Sequence, residues 1–311
     1  MIKAEGLTRK YGEIVAVDDV TFQIEHGEIV GLLGHNGAGK TTIMKMITGY
    51  VEPTSGKLSV DGLDISQDRF KIQQKIGYLP ENCPLYPDMT VTDFLLYAAS
   101  LKGLEGDSAK ASIAQAIHRT KLTSVATQRI NTLSRGYRQR LGVAQAILGE
   151  PKIYILDEPT NGLDPSQIQE MRALIKELSK KATVLVSTHI LQEVEATCHR
   201  VIIIRGGQVA LDSSMKDLSR SSILELCLEN KEGEAVAEGI ESVKLISESV
   251  EDEKLHCTLE VLDADRQDEV AAELASAIIG KGLKLYSMKP QVRDLEVVFG
   301  EISRGKVEDR K

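Results

Sequence analysis

Tryptophan is absent from the 311 residues, and all aromatics together make up only 4%. So thin a supply of rings argues against a platform for single-stranded nucleic acid, which works by stacking bases on aromatic faces. The four cysteines, Cys83, Cys198, Cys227 and Cys257, contain no C-x-x-C pair. Neither a zinc cluster nor a disulfide scaffold is indicated, and a reducing compartment is expected. No apolar run approaches the ~18 residues of a membrane span, and the opening stretch 1–17 has no hydrophobic signal core. A soluble, cytoplasmic chain is the expectation. Positive charge is also short, with 38 Lys+Arg against 46 Asp+Glu and a net charge of −8. That balance opposes a polyanionic main partner, so no nucleic acid is expected and any phosphate site has to be local.

What is present divides in two. The chain is about twice the roughly 150-residue prior for one domain. Residues 221–311 hold 21 Asp+Glu against 12 Lys+Arg, whereas residues 1–220 are nearly balanced at 25 and 26. Within 1–220, apolar runs such as EIVGLLG (28–34), KIYILDE (152–158), ATVLVST (182–188) and RVIIIRGGQVAL (200–211) alternate with helical stretches. Apolar residues at consecutive positions predict strands buried on both faces, as in the parallel sheet of an α/β domain, with a helical insertion over 91–148. Residues 221–311 read as a small acidic α+β domain. Its strands lie at 222–230, 242–249, 255–263 and 283–289, with helices at 233–241 and 265–282, the order of a split, ferredoxin-like β-α-β-β-α-β unit. The acidic run 251–253 reads as a solvated turn.

Gly34-His35-Asn36-Gly37-Ala38-Gly39-Lys40-Thr41 is a full G-x-x-x-x-G-K-[ST] between an apolar strand and the helix-like TTIMKMITG, which opens with Thr41 and Thr42. Glycines at these positions let backbone N–H groups turn inward around phosphate oxygens, and the following helix adds its positive end. Lys40 supplies a compact cation and Thr41 a hydroxyl for Mg²⁺. The run IYIL ends in Asp157 and Glu158, at the carboxyl edge of a strand, where open α/β sheets bind their ligands. Asp157 is the candidate metal ligand and Glu158 the candidate general base for an attacking water. His189 follows another strand and is within reach of the same phosphate; a lone His is otherwise most often structural.

The segment Leu133-Ser134-Arg135-Gly136-Tyr137-Arg138-Gln139-Arg140, about twenty residues before the carboxylate strand, resembles the signature of ABC-type ATPases. The resemblance covers about residues 1–215. It implies a P-loop NTPase fold of ABC type, with a parallel-sheet core, an antiparallel β subdomain and a helical subdomain, using ATP and Mg²⁺. It further implies that Tyr11 stacks on adenine, that Glu81 stands in the glutamine-loop position near the metal, that Asp164 lies in the D-loop of residues 161–164 and that His189 is the switch histidine. The signature residues Leu133, Ser134, Arg135, Gly136 and Tyr137 then act in trans, capping the ATP of a second subunit in a homodimer. LSRGYRQR and YLPEN are similar to variants in a drug-efflux, polysaccharide-export, copper-site-maturation and gliding-motility-like exporter subgroup, and the 290–299 segment resembles its P-x-L-E-x-x-F-like ending. The implied function is the ATPase subunit of an exporter, peripheral on the inner membrane face through separate permease subunits. Their coupling helix would enter a groove formed by residues 81–103. A soluble ABC ATPase acting on a macromolecule is the alternative. The absence of N-K-x-D disfavours guanine.

Overall fold

Side-chain alternation shapes the first strands. In β1 (Ile2–Tyr11), Ile2, Ala4 and Leu7 are buried while most of their neighbours face outward, and the strand pairs antiparallel with β2 (Ile14–Ile24). In β3 (Ile29–Leu33) all five residues are buried, as a strand covered on both faces requires. Helix α1 (Lys40–Ile47) follows, with Ile43, Met44, Met46 and Ile47 packed into the core that β1, β2 and β3 share. Strands β4 (Ser55–Val60) and β5 (Leu63–Asp64) complete an antiparallel sheet in the order β2-β1-β4-β5. The computed structural model describes residues 1–219, 223–229, 242–263, 266–291 and 295–303, and the chain divides into two units, Met1–Met215 and Lys216–Lys311.

The larger sheet of the first unit carries the candidate site. After α2 (Ile65–Lys75) and β6 (Ile76–Leu79) come the helices α3 (Val91–Leu101), α4 (Gly106–Arg119) and α5 (Arg135–Ile147), which fill the expected insertion. The chain continues through β7 (Ile153–Asp157), α6 (Pro165–Ser179), β8 (Thr183–Thr188) and α7 (Leu191–Thr197). The first unit closes with β9 (Arg200–Arg205) and β10 (Gln208–Ser214), and α8 (Met215–Ser219) begins at the boundary. The strand order is β10-β9-β3-β8-β7-β6, parallel throughout except at β9–β10. The loops after β3, β6, β7 and β8 therefore leave one edge of the sheet together. The run 200–211, expected as one strand, is instead a hairpin. Gly206 and Gly207, with φ of 56° and 83°, fold it back in the left-handed conformation that a two-residue turn requires.

In the second unit β11 (Ile223–Glu229), β12 (Val243–Glu251) and β13 (Lys254–Val261) precede α9 (Gln267–Gly280), β14 (Leu285–Pro290) and α10 (Leu295–Ser303). The sheet is antiparallel in the order β12-β13-β11-β14. Leu224, Leu226 and Leu228, alternate residues of β11, share a core with Val270, Leu274 and Ile278, which recur every four residues along α9. Asp252 and Glu253 make the turn between β12 and β13. The expected helix 233–241 lies outside the described residues, as does 292–294 of the closing motif. No helix among the described residues is long and apolar enough to cross a membrane.

Candidate active site

The phosphate loop joins β3 to α1 and admits only glycine at two points. A Cβ on Gly34 would lie 2.5 Å from the Ile204 carbonyl oxygen. One on Gly39, the N-cap of α1 at φ 110°, would lie 2.6 Å from that of Ala16. Lys40 is buried, and its Nζ donates to the carbonyls of Gly34 at 2.6 Å and His35 at 3.2 Å. Burial lowers its pKa, opposed by the carboxylates of Glu158, Asp157 and Glu81. A cavity of about 330 Å³ is bounded by the loop, including Asn36, Gly37, Lys40, Thr41 and Thr42, and by Glu81, Asp157 and Glu158. His35 is exposed and Ala38 buried in the same loop.

The two acids sit side by side in unlike surroundings. Asp157, 1% exposed, accepts a hydrogen bond from Ser187 Oγ on Oδ1, while its Oδ2 has no partner among the described residues. Glu158 lies just past β7 with a φ of 50°, an uncommon backbone for a residue carrying a Cβ. Its N–H is held by Ser187 O and Oγ, each at 3.1 Å, and Gln139 Nε2 donates to its carbonyl at 3.1 Å. Both carboxylate oxygens face His189 Nδ1, at 3.0 and 3.1 Å. An ionised carboxylate only accepts, so Nδ1 carries the hydrogen. Burial raises the Glu158 pKa, outweighing the opposing pull of His189 and Lys40.

Most of the other residues singled out from the sequence stand apart from this cavity, Glu81 excepted. Ser134 caps α5, its Oγ accepting from Tyr137 N at 3.3 Å, and Leu133 is buried beneath it. Arg135 donates to Asn161 Oδ1 at 2.7 Å and lies against Gly162, linking the segments expected as signature and D-loop within one chain. Gly136 packs on the Gln167 side chain, Tyr137 lies under the Arg140 guanidinium, and Asp164 caps α6 through Gln167 N. Glu81 borders both the phosphate cavity and a second one, of about 190 Å³, that Arg135, Gln139 and Asn161 also line. Tyr11, 43% exposed at the end of β1, carries the Arg9 guanidinium 4.5 Å from its ring centre and does not line the phosphate cavity. Sequence reasoning missed Ser187 and Gln139, which fix the backbone of the acid pair. The signal for Ser187 was a buried-strand hydroxyl directly after the apolar run Val184–Val186, two residues before His189.

A family model described as ABC transporter matches residues 17–161. An ABC transporter ATP-binding protein of Bacillus subtilis (strain 168), YdbJ, is 33% identical over 301 residues, covering 96% of this chain and 94% of its own length. The linearmycin resistance ATP-binding protein LnrL of the same organism is 32% identical over 304 residues, covering 96% and 97%. Among solved structures, the dimeric post-hydrolysis state of the ATP-binding cassette MJ0796 bound to ADP and Pi aligns with a TM-score of 0.65 at 27% identity, over 69% of this chain and 99% of that one. With relatives matched along nearly their whole length, and with the phosphate loop and acid pair on one edge of a parallel sheet, the chain belongs to the ABC transporter ATP-binding proteins.

Proposed function

We propose that the chain is the ATP-hydrolysing subunit of a membrane exporter, closing as a homodimer on ATP and driving separate permease subunits at the inner face of the membrane. The observation that carries this reading is the meeting, at one cavity, of Lys40 with Asp157 and with a Glu158 held by His189. Lys40 and the loop amides bind the phosphates. Glu158 accepts the proton of the water that attacks the γ-phosphorus, while the bond from that phosphorus to its bridging oxygen breaks, giving ADP and Pi. His189 holds the carboxylate in place through Nδ1. The donors fit Mg²⁺, a hard cation that takes oxygen: the Thr41 hydroxyl, Glu81, and Asp157 with its unpartnered buried oxygen. When bound, the ion offsets charge on the phosphate oxygens.

In this reading Tyr11 stacks on adenine, and the signature, led by Ser134 and Gly136, completes the site of the opposite subunit, with Asp164 and the D-loop alongside. The dimeric form of the MJ0796 cassette supports that arrangement. LnrL, named for antibiotic resistance, supports the exporter assignment. Tyr86, Tyr97 and Leu101, exposed in segment 81–103, suit the apolar face of a permease coupling helix.

The test is the pair Lys40→Ala and Glu158→Gln. Lys40→Ala should lose ATP binding. Glu158→Gln should bind ATP, lower phosphate release by about 10²-fold or more, and accumulate as an ATP-dependent dimer on size exclusion. Undiminished turnover by Glu158→Gln would overturn the assignment.

A further inference from the structure

We propose that Glu193 is a positioning residue for hydrolysis, a buried carboxylate that ties the strand end bearing Glu158 to the strand end bearing His189. The proposal rests on the roles given to those two residues above. Glu193 lies in the first turn of α7 and is 6% exposed. Its Oε2 accepts from Thr160 Oγ1 at 2.5 Å and from Thr188 Oγ1 at 3.3 Å. Thr160 is two residues beyond Glu158, and Thr188 immediately precedes His189. Thr188 Oγ1 also accepts from Ile190 N at 3.1 Å, so a single hydroxyl grips the backbone on both sides of His189.

The carboxylate is itself anchored. Beside Glu193, Val194 packs so closely on β3 that a Cβ at Gly31 would lie 2.9 Å from its Cγ1. Strand β3 leads into the phosphate loop, so α7 joins three strand ends: the loop, the base and the histidine. The other oxygen of the carboxylate faces a small cavity. Glu193, Arg172 and Thr197 line a cavity of about 10 Å³, and Glu193 Oε1, Arg172 Nε and Thr197 Oγ1 are buried without a hydrogen-bond partner among the described residues. That volume is about the room of one water, which can accept from the guanidinium and donate to the carboxylate. Burying a carboxylate is costly unless donors reach it, and here the hydroxyls of Thr160 and Thr188 are those donors.

Loss of this tie should loosen the Glu158–His189 geometry while leaving the nucleotide contacts intact. A misplacement of about 1 Å at a reacting group costs up to about 10²-fold in rate. In the full-length protein, Thr188→Val and Glu193→Ala are compared with Thr188→Ser and Glu158→Gln by phosphate release, by titration with a fluorescent ATP analogue and by thermal melting. The expected result is a kcat lowered by about 10- to 100-fold in Thr188→Val and Glu193→Ala, with nucleotide affinity unchanged and Thr188→Ser near wild type. Wild-type kcat in Thr188→Val, or a loss of affinity that matches the loss of rate, would overturn it. If Glu193→Ala does not fold, the shape-conserving Thr188→Val and its Ser counterpart decide the matter. Glu158→Gln separates the two readings: if it also turns over normally, the assigned base is wrong, whereas if it alone is inactive, only the role of Glu193 fails.

Discussion

Glu158 combines burial, a left-handed backbone and a histidine partner, and each bears on how its proton is held. Because burial raises its pKa above the ordinary 4.5, the carboxylate proposed as base becomes protonated at a higher pH than an exposed glutamate. Turnover should fall as pH drops through that raised value, placing the acid limb of the kcat profile above the usual glutamate range. Stability carries the matching sign. The folded state favours the protonated form, so the contribution of this group is fully present below the unfolded pKa and is lost as pH rises through the folded one. Glu158→Gln, neutral throughout, should therefore melt at a higher temperature than wild type at pH 8, with the gap closing toward pH 4. A lower melting temperature for the variant at pH 8 would show that the His189 contact outweighs burial. A function that keeps a destabilising charge in its core fits the general trade between stability and activity.

Helix α5 begins at the signature and ends on a lysine from another helix. Lys102, just past α3, donates from Nζ to the carbonyls of Ala146 and Leu148, each at 3.0 Å, supplying partners and positive charge to the C-terminal end of α5. Burial lowers its pKa from 10.5 to about 8. Lys102→Met should cost about 1.5–3 kcal/mol at neutral pH, the range for hydrogen bonds involving a charged group. Between pH 8 and 10.5 the unfolded chain binds the extra proton, so the Lys102 contribution grows as pH rises through that window. Chemical denaturation of both proteins at pH 7.5 and 10 should show the gap widening in favour of wild type, and a constant gap would remove Lys102 as its source. The elements themselves were mostly legible in the sequence. Continuous apolar runs marked β3, β7 and β8, and the glycine spacing marked the loop. The β9–β10 hairpin was not read because Val201–Ile204 and Val209–Leu211 are apolar on both sides of Gly206–Gly207, although a Gly-Gly pair between such runs is itself a turn signal. The polar network under the site was illegible for a different reason. Glu193 in LQEVEAT looks like one more acid on a solvated helix face, yet it is buried against Thr160 and Thr188 while its neighbour Val194 packs on Gly31.

At the scale of the whole chain, the two units have separate cores and unequal charge. All the nucleotide motifs end by His189, while the acidic excess lies beyond residue 220. We expect residues 221–311 to be dispensable for ATP chemistry and to serve coupling or assembly with the permease. A chain ending at Leu218 should fold by circular dichroism and bind ATP, with weaker association to its membrane partner, and a folded but nucleotide-blind product would refute that division of labour. The strand order bears also on how the protein is made. Strand β3 is threaded between β8 and β9, so the segment that leads into the phosphate loop has both of its neighbours still to come when it leaves the ribosome. A growing chain thus carries a complete Gly34–Thr41 before either strand neighbour of β3 is available to hold it. Nucleotide affinity is therefore expected only after Arg200–Arg205 has been synthesised and docked, which truncations ending before and after β9 would test. Since a ligand that binds only the folded state stabilises only that state, ATP should protect finished copies from proteolysis more than incomplete ones.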